Sequence, residues 1–206
     1  EDYLFPYYRD RAMMLARGIS NYDLALAYFA KRSSSSGGRQ MPGHYSCREH
    51  NVFSVCTPTG GSLIPACGTA WGMKLSGTDS LCIASVGDAA SRQGEFYEAL
   101  AFAEQEKLPV IFVVEDNKYG ISTPTDKFLP FNIGVINPDI IVKIDARHPE
   151  IVREAGLTAA AKARAGDGPT LFWCDLDRLS SHTSSDDHRV YRKLEDIEEM
   201  THRDPI

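Results

Sequence analysis

The sequence lacks several features that would place it in common protein classes. No stretch approaches the roughly 18 consecutive apolar residues of a membrane-spanning helix, so we expect no transmembrane segment. Basic residues are in deficit, because 22 Lys and Arg stand against 28 Asp and Glu and give a formal net charge of −6. A dedicated nucleic-acid binder would carry a basic face instead. The amino terminus has charged residues without a following apolar segment, so it does not resemble a signal peptide.

Cysteines are few, odd in number and never spaced as C-x-x-C: they are Cys47, Cys56, Cys67, Cys82 and Cys174. This pattern predicts neither a disulfide framework nor a structural zinc site, but reduced and mostly buried thiols in an intracellular protein. Hydrophobic residues make up 43% of the chain, which is enough to form a substantial core.

Two helices and a polar loop are predicted for the amino-terminal part of the chain. Apolar residues recur at helical spacing over Tyr3–Arg17, and Gly18 follows as a helix cap. Asn21 is placed to cap a second helix over Tyr22–Ala30. The segment Ser33–Gly38 consists of serines and glycines, which predicts a loop.

Beyond this loop, short apolar runs alternate with segments of helical periodicity. A small-residue segment comes first, Gly60–Leu75, and runs from a loop into a helix. The predicted strands are Ser80–Val86, Val110–Glu115, Ile140–Ile144 and Thr170–Asp175. The predicted crossover helices are Glu95–Glu104 and Glu150–Ala165. This alternation is typical of right-handed crossovers, so we expect the α/β class, with a mostly parallel sheet and helices on both faces.

Polar turns follow two of the predicted strands. Gly87-Asp88-Ala89-Ala90 follows the first, and Asn117 lies just beyond the second. If the strands are neighbours, the carboxylate of Asp88 and the amide of Asn117 converge, because ligands bind outside the carboxyl ends of parallel strands. Such oxygens hold Mg²⁺ together with phosphate oxygens and water. The small residues would let a diphosphate reach the backbone amides. Two ordinary strand-ending turns are the alternative, since Asp and Asn are common in turns.

The spacing of these residues resembles a known cofactor motif. GDA-x26-DN is similar to the thiamine diphosphate motif, in which GDG precedes NN by a similar stretch. Two departures are present, because Ala89 stands in place of the last Gly and Asp116 in place of the first Asn. Alanine keeps the turn small but loses the access of glycine to positive φ. Asp116 adds a negative charge close to the expected diphosphate.

Four blocks extend the resemblance over nearly the whole chain, from Tyr3 to about Arg192. In order they are GRQMPGHYS (38–46), GDAASRQGEFYEALAFA (87–103), LPVIFVVEDNKYGISTPT (108–125) and RLSSHTSSDDHRVYR (178–192). They resemble the alpha chain of the thiamine diphosphate-dependent E1 component of 2-oxoacid dehydrogenase complexes. The first and last blocks are most similar to the branched-chain 2-oxoacid (2-oxoisovalerate) branch, rather than to the pyruvate branch.

This resemblance implies an oxidoreductase that uses thiamine diphosphate and Mg²⁺ to decarboxylate a 2-oxo acid, similar to 3-methyl-2-oxobutanoate dehydrogenase of branched-chain amino acid degradation. The acyl group would pass to the lipoyl domain of an acyltransferase component. An E1 beta chain, separate or fused, would be required for activity, in a heterotetramer. The location implied is the cytoplasm of a bacterium, or the mitochondrial matrix of a eukaryote.

The resemblance also assigns the metal and diphosphate ligands by position. Asp88, the side chain of Asn117 and the carbonyl of Tyr119 would hold Mg²⁺. Backbone groups of Gly87, Ala89 and Ala90 would contact the diphosphate.

The turn Thr57–Gly60 occupies the position at which the family contacts the aminopyrimidine ring of the cofactor. PTGGSLIP has one residue more than the usual spacing between its prolines, so the contact stays open among Thr57, Thr59 and Gly60. Glu115 stands at a cofactor-binding position where branched-chain enzymes often carry Arg.

His182 is the residue to which the resemblance assigns direct chemistry, as a donor to a diphosphate oxygen or as a proton carrier during acyl transfer. Without the matching motif, a solvated loop histidine would be the better interpretation. Arg178 and Asp186 would brace the loop by charge-assisted hydrogen bonds. His44 would either line the site or fix its own turn.

We expect residues 1–192 to form a single cofactor-binding domain that begins inside the family's alpha chain, without its upstream aromatic–Arg segment. Residues 193–206 would be an acidic tail. Two other functions stay open. One is the alpha chain of a pyruvate or acetoin dehydrogenase. The other is a non-catalytic assembly subunit that has lost cofactor binding, which the departures at Ala89, Glu115 and Asp116 would allow.

Overall fold

A computed structural model of the protein describes residues 2–205, apart from the side chains of Phe128 and Phe131. Its strands are β1 (Tyr3–Phe5), β2 (Cys82–Gly87), β3 (Val110–Asp116), β4 (Tyr119–Gly120), β5 (Thr123–Pro124), β6 (Ile141–Asp145) and β7 (Thr170–Asp175). Its α-helices are α1 (Arg11–Arg17), α2 (Asn21–Tyr28), α3 (Leu63–Leu75), α4 (Gly94–Gln105), α5 (Pro149–Arg164) and α6 (Leu194–Thr201).

Five strands form one sheet in the order β1-β2-β3-β7-β6, and every neighbouring pair in it is parallel. Alternate residues of each strand face opposite sides. Phe112 and Leu171 therefore pack with α3 and α4 on one face, whereas Ile111 and Phe172 pack with α5 on the other. The expected α/β class, with a parallel sheet covered by helices on both faces, is confirmed.

The predicted strands and crossover helices are confirmed with small shifts at their ends. The strand Thr170–Asp175 has the predicted bounds, and its first five residues are buried. The helix Gly94–Gln105 exceeds its predicted range by one residue at each end. Apolar runs of this kind need burial on both faces, which a parallel sheet between two helical layers provides.

The prediction of one helix over Tyr3–Arg17 is wrong for its first residues. Tyr3–Phe5 is instead an edge strand, and Leu4 lies opposite Ile83 in β2. The backbone of Leu4 also accepts from Phe53 N at 2.8 Å, on the side away from β2. Periodicity over so few residues is decided by these long-range partners, and α1 begins only at Arg11.

The cap predicted at the end of α1 is confirmed, whereas the cap at the start of α2 is a different residue from the one predicted. Gly18 ends α1 with a φ of 111°, in the left-handed region that glycine adopts readily. Ser20, not Asn21, caps α2, because its hydroxyl accepts from Asp23 N at 3.1 Å. The carboxylate of Asp23 accepts in return from Ser20 N at 3.3 Å, which completes a capping box. The predicted loop over Ser33–Gly38 is confirmed as a series of turns.

The carboxyl-terminal segment 193–205 contains the short helix α6 and contacts the rest of the chain. Arg203, beyond this helix, forms an ion pair with Asp177 at 3.3 Å. All five cysteines are free thiols, as predicted. Burial raises the pKa of Cys67, Cys82 and Cys174 to about 12, so these thiols are poor nucleophiles. Within residues 2–205, no helix has the length and apolar character needed to cross a membrane.

Candidate functional site

The candidate site lies at the carboxyl edge of the sheet, where the loops after β2 and β3 emerge side by side. These two strands are neighbours, and Gly87 at the end of β2 pairs with Glu115 in β3. Asp88 and Asn117 therefore follow adjacent strands at the same edge. A shared site requires these two strands to be neighbours, and the structure shows that they are.

Asp88 is a buried carboxyl, only 3% exposed, at the first position of its loop. Its backbone N–H donates to Glu115 O at 3.2 Å, and its Oδ2 accepts from the Thr125 hydroxyl at 2.5 Å. Burial raises the pKa of Asp88 above its ordinary value, because the charged form is poorly solvated there. A nearby cation would relieve this cost.

Asn117 begins a tight turn into the hairpin formed by β4 and β5. Its Oδ1 accepts from Tyr119 N at 3.1 Å, which forms an Asx turn, and Lys118 adopts a φ of 68°. Thr125 N donates to Lys118 O at 3.0 Å, while the Thr125 hydroxyl bonds Asp88. Thr125 thus joins the two loops. The amide oxygen of Asn117 keeps a second lone pair, so its bond to Tyr119 does not prevent it from binding a cation.

Gly120 in β4 lies against Ala89 in the loop after β2. A Cβ added at Gly120 would be 2.6 Å from the Cβ of Ala89. Two carbon atoms cannot approach so closely, and the side chain of Ala89 already fills the space that a glycine would leave open. The departure from glycine at position 89 is therefore matched by the absence of a side chain at position 120.

Replacing Gly120 with Ala is expected to lower the free energy of unfolding by about 1–3 kcal/mol, because the hairpin must move away from Ala89. Urea denaturation measures the loss. Gly94→Ala is the matched control, because no atom lies within 4 Å of its added Cβ. That substitution should be neutral or slightly stabilising in a helix. Equal stabilities of the two variants would contradict the close contact.

The turn expected to contact the aminopyrimidine lies beside the loop that follows β2. The Gln93 amide donates to the Thr59 hydroxyl at 3.2 Å. Gly60 adopts a φ of 84°, and a Cβ there would be 2.8 Å from Gln93 Oε1. Thr59 is exposed, Gly60 is buried, and Thr57 is exposed on the same turn. Thr59 and Gly60 are thus held against the segment that begins at Ala90.

His182 lies beyond the end of β7, at the same edge of the sheet. Its backbone N–H donates to Asp186 Oδ2 at 2.7 Å. Arg9 Nη2 donates to His182 O at 3.1 Å and lies 3.2 Å from its Nδ1. Because a guanidinium has no acceptor, Nδ1 is the unprotonated nitrogen in this contact and the neutral ring carries its proton on Nε2. Burial, then Arg9 and Arg178, lower the pKa of His182 below its ordinary value.

Tyr8 and Arg9 are site residues that the sequence interpretation missed. The guanidinium of Arg9 lies over the Tyr8 ring at 4.6 Å and bonds the Tyr8 hydroxyl at 2.5 Å. An aromatic–Arg pair is therefore present beside His182, contrary to expectation. The helix predicted over Tyr3–Arg17 concealed it, whereas a strand at Tyr3–Phe5 would have placed these residues at the carboxyl edge.

The predicted brace of the His182 loop exists, but it runs through Tyr191. The Tyr191 hydroxyl donates to Asp186 Oδ2 at 2.7 Å and accepts from Arg178 Nη2 at 2.7 Å. This bond from Tyr191, with that from His182 N, lowers the pKa of Asp186. Arg178 is buried, donates to the carbonyl of Ile121 at 2.8 Å, and so ties the loop to the β4–β5 hairpin.

The added negative charge of Asp116 is neutralised within the protein. This carboxylate is 1% exposed and accepts from Trp173 Nε1 at 2.7 Å. Lys118 Nζ lies 2.7 Å from Asp116 and 2.7 Å from Asp175. Glu115 likewise faces an internal partner, because the Tyr7 hydroxyl donates to it at 2.6 Å. His44 stacks beside Tyr8 with ring centroids 6.2 Å apart, and its Nδ1 lies 3.2 Å from Pro42 O.

Comparison with known families identifies the family of this chain. The profile described as Dehydrogenase E1 component matches residues 1–206. The chain belongs to the dehydrogenase E1 component family. The resemblance inferred from the four sequence blocks is confirmed.

Curated relatives of this E1 family chain match it along its whole length. It is 38% identical to the 2-oxoisovalerate dehydrogenase subunit alpha of Bacillus subtilis, covering 100% of this chain and 64% of that protein. It is 31% identical to the mitochondrial pyruvate dehydrogenase E1 component subunit alpha of Dictyostelium discoideum, covering 100% of this chain and 55% of that protein. The chain thus spans between about half and two thirds of their length.

One solved structure that is similar to this chain is a putative thiamin diphosphate-dependent enzyme from Mycobacterium smegmatis. The TM-score is 0.44 at 27% sequence identity, over 58% of this chain and 22% of that one.

The donor set of this E1 family chain fits a divalent cation held jointly by protein and diphosphate. Among residues 2–205, no group of three or more His, Cys, Asp or Glu side chains could hold a metal by itself. Asp88 is buried with a raised pKa and has a hydroxyl partner but no cationic one in the hydrogen bonds described above. A carboxylate, an amide oxygen and a carbonyl that need phosphate oxygens to complete the shell suit Mg²⁺.

Proposed function

We propose that this chain is the alpha chain of the E1 component of a 2-oxoacid dehydrogenase complex, which binds thiamine diphosphate with Mg²⁺. The observation that carries the proposal is the buried Asp88, joined through Thr125 to the turn of Asn117 at the carboxyl edge of adjacent strands. A carboxyl in this position is costly unless a cation comes to it. Thiamine diphosphate, which the resemblance to E1 alpha chains implies, would bring that cation with it.

The metal would be held by Asp88, Asn117 and the carbonyl of Tyr119. The Asx turn of Asn117 holds the Tyr119 backbone at the edge, and Thr125 orients the Asp88 carboxylate. Such outer contacts fix ligand geometry and commonly contribute as much as 10–100-fold in metal affinity.

The diphosphate would lie over the loop after β2, on the backbone of Gly87, Ala89 and Ala90. A Cβ added at Gly87 would meet no atom within 4 Å, so the space above this strand end is open. Thr59 and Gly60 would contact the aminopyrimidine, held in place by Gln93.

When bound, thiamine diphosphate supplies the electron sink for decarboxylation of the 2-oxo acid. His182 presents Nε2–H as a donor, because Arg9 contacts its Nδ1. The same ring can donate to a phosphate oxygen or move a proton during acyl transfer to the lipoyl group. The guanidinium of Arg9 suits a diphosphate oxygen, since no carboxylate in the described part of the chain lies within ion-pair distance of it.

We further propose that the substrate is a branched-chain 2-oxo acid such as 3-methyl-2-oxobutanoate, and that the alpha chain works with an E1 beta chain in a heterotetramer. The Bacillus subtilis relative named for 2-oxoisovalerate, at 38% identity, supports this choice over the pyruvate-named relative at 31%. In a bacterium the complex would be cytoplasmic, and in a eukaryote it would lie in the mitochondrial matrix.

Reconstitution tests this function. The chain is expressed with its beta partner, and dye-coupled turnover is measured for 3-methyl-2-oxobutanoate and pyruvate, which lose CO₂, and for acetoin, which is cleaved without loss of CO₂. We expect turnover that requires thiamine diphosphate, Mg²⁺ and the beta chain, with the highest kcat/KM for the branched-chain acid. The highest kcat/KM for pyruvate or acetoin would correct the substrate. Calorimetry that shows no binding of thiamine diphosphate with Mg²⁺ would favour a non-catalytic assembly subunit.

A further inference from the structure

A polar cluster of two buried and two half-buried residues joins the segment after β1 to β2 and β3 and has no part in the proposed chemistry. Its members are Tyr7, Asp10, Ser85 and Glu115. We propose that Asp10 and Glu115 are positioning residues that hold Arg9 against His182. This inference rests on the proposed function of His182.

Asp10 closes a turn over Tyr7–Asp10 that directly follows β1. Its N–H donates to Tyr7 O at 3.1 Å, and its Oδ2 accepts from Tyr7 N at 2.9 Å. The Ser85 hydroxyl, from the middle of β2, donates to the same Oδ2 and lies 3.0 Å from Tyr7 N. Asp10 is 4% exposed and Ser85 is 1% exposed. The turn is therefore closed on itself and joined to the neighbouring strand inside the protein.

Glu115 attaches the same turn to the next strand. The Tyr7 hydroxyl donates to Glu115 Oε2 at 2.6 Å. Asp10 also lies within hydrogen-bonding reach of Glu115, and the pKa of Asp10 is well above its usual range because of burial first and Glu115 second. The carboxyl groups of Asp10 and Glu115 therefore lie close together between the turn and β3. Glu115 thereby has internal partners and acts on the site through the turn.

Arg9 lies inside this turn, between the two anchored residues. Its own side chain is exposed, and its contacts are with Tyr8 and His182 alone among the described hydrogen bonds. A long exposed side chain loses conformational entropy when it is held in one geometry, and exposed contacts offset little of that loss. The fixed backbone of Tyr7–Asp10 restrains Arg9 instead. Asp10 and Glu115 therefore determine where the guanidinium of Arg9 contacts the imidazole of His182.

The test follows the titration of the His182 ring by NMR in the cofactor-free protein, with the signal assigned from a His182→Gln variant. Arg9 lowers the pKa of His182, so any change that releases Arg9 raises it. Arg9→Gln defines the full rise. Asp10→Ala should raise the pKa by a comparable amount. Asp10→Asn should preserve the wild-type titration, because its amide oxygen still accepts from Tyr7 N and from the Ser85 hydroxyl.

Tyr7→Phe covers the case in which Asp10→Ala does not fold, since it removes only the hydroxyl bond to Glu115. It should raise the pKa of His182 in the same direction by a smaller amount. Asp2→Ala is the matched control, because Asp2 joins the other end of the β1 segment to Leu81 N at 3.0 Å and to Arg164 at 2.8 Å. An unchanged titration in folded Asp10→Ala and Tyr7→Phe would overturn the proposal, and so would an equal rise in Asp2→Ala.

Calorimetry with thiamine diphosphate and Mg²⁺ provides a separate readout. Asp10→Ala should bind the cofactor about tenfold more weakly than wild type, through loss of one charge-assisted contact from Arg9. Wild-type affinity in that variant would contradict the role in cofactor binding. If the wild-type protein binds no cofactor while the His182 titration shifts as expected, the positioning role stands and the proposed function falls.

Discussion

Replacing Asp88 with Asn is expected to abolish Mg²⁺-dependent binding of thiamine diphosphate while leaving the cofactor-free protein as stable as before, or more stable. The loss follows from removing one anionic oxygen from the metal shell, and about 100-fold or more in affinity should disappear. The gain follows from burial, which raises the pKa of Asp88 in the folded protein. Weaker cofactor binding together with unchanged or higher stability would indicate that this carboxyl serves function and not folding.

The sign of the stability effect follows from proton linkage. A group whose pKa is higher in the folded than in the unfolded state binds protons more tightly when folded. Asp88 therefore contributes most to stability below its ordinary value of 3.8, and that contribution is lost as the pH rises through the raised pKa. Asp88→Asn cannot ionise, so its advantage over wild type should grow over the same pH range. Urea denaturation between acidic and neutral pH measures it.

Calorimetric titration with the cofactor measures the binding half of this prediction. Asp145→Asn is the matched control, because Asp145 ends the edge strand β6 at the same side of the sheet and its described ion pairs are with Arg147 at 2.8 Å and His148 at 4.0 Å, not with the loops after β2 and β3. Cofactor affinity should be unchanged in this control. Wild-type affinity in Asp88→Asn would place the metal elsewhere in the protein.

Replacing His182 with Ala is expected to reduce transfer of the acyl group to the lipoyl acceptor by about 100- to 10,000-fold, the usual contribution of a general acid–base group. Decarboxylation measured with an artificial dye should fall less, because the dye needs no proton from this ring. The measurement compares dye-coupled with lipoyl-coupled turnover in the complex reconstituted with its beta chain. His202→Ala, an exposed histidine beyond α6, should leave both rates unchanged. Equal losses in the two assays would show that His182 serves only cofactor binding.

The pH dependence of the same reaction provides a further check. Burial and the charges of Arg9 and Arg178 lower the pKa of His182, so its ring stays neutral to a lower pH than an ordinary histidine does. If transfer requires the neutral ring, the acid limb of the lipoyl-coupled rate should lie at a lower pH than an ordinary histidine would give. In Arg9→Gln the fall should begin at a higher pH, since one of the two neighbouring positive charges is gone. An acid limb at the same pH in both proteins would contradict the contact between Arg9 and His182.

The residue types along the chain were sufficient to predict the class of fold and most of the strands. Runs such as Val110–Glu115 are apolar and β-branched, so burial on both faces is the only stable outcome for them. The strand ends then place Asp88 and Asn117 at one edge without further information. Short-range signals also located the cap at Gly18, because its conformation depends on the residue itself.

The same signals failed where distant partners decide the local structure. Tyr3–Phe5 satisfies a helical pattern, yet it becomes a strand because β2 and the segment around Phe53 both pair with it. Asn21 is as good a cap as Ser20 by residue type, and only the return bond from Asp23 distinguishes them. Arg178 and Asp186 were expected to brace the His182 loop by charge-assisted hydrogen bonds, but the sequence did not indicate that the hydroxyl of Tyr191 lies between them.

The sequence by itself determined the α/β class and the polar turns after two strands, because apolar periodicity and turn residues are local properties of the chain, and its four motif blocks carried the resemblance to the E1 family. Only the tertiary structure decided how the carboxyl edge of the sheet is assembled. Arg9 meets His182 across a separation of 173 residues, and Thr125 meets Asp88 across 37. Contacts over such distances arise from the order of strands in the sheet, which brings loops far apart in the chain to one edge. Their partners become visible only when the strands are in place.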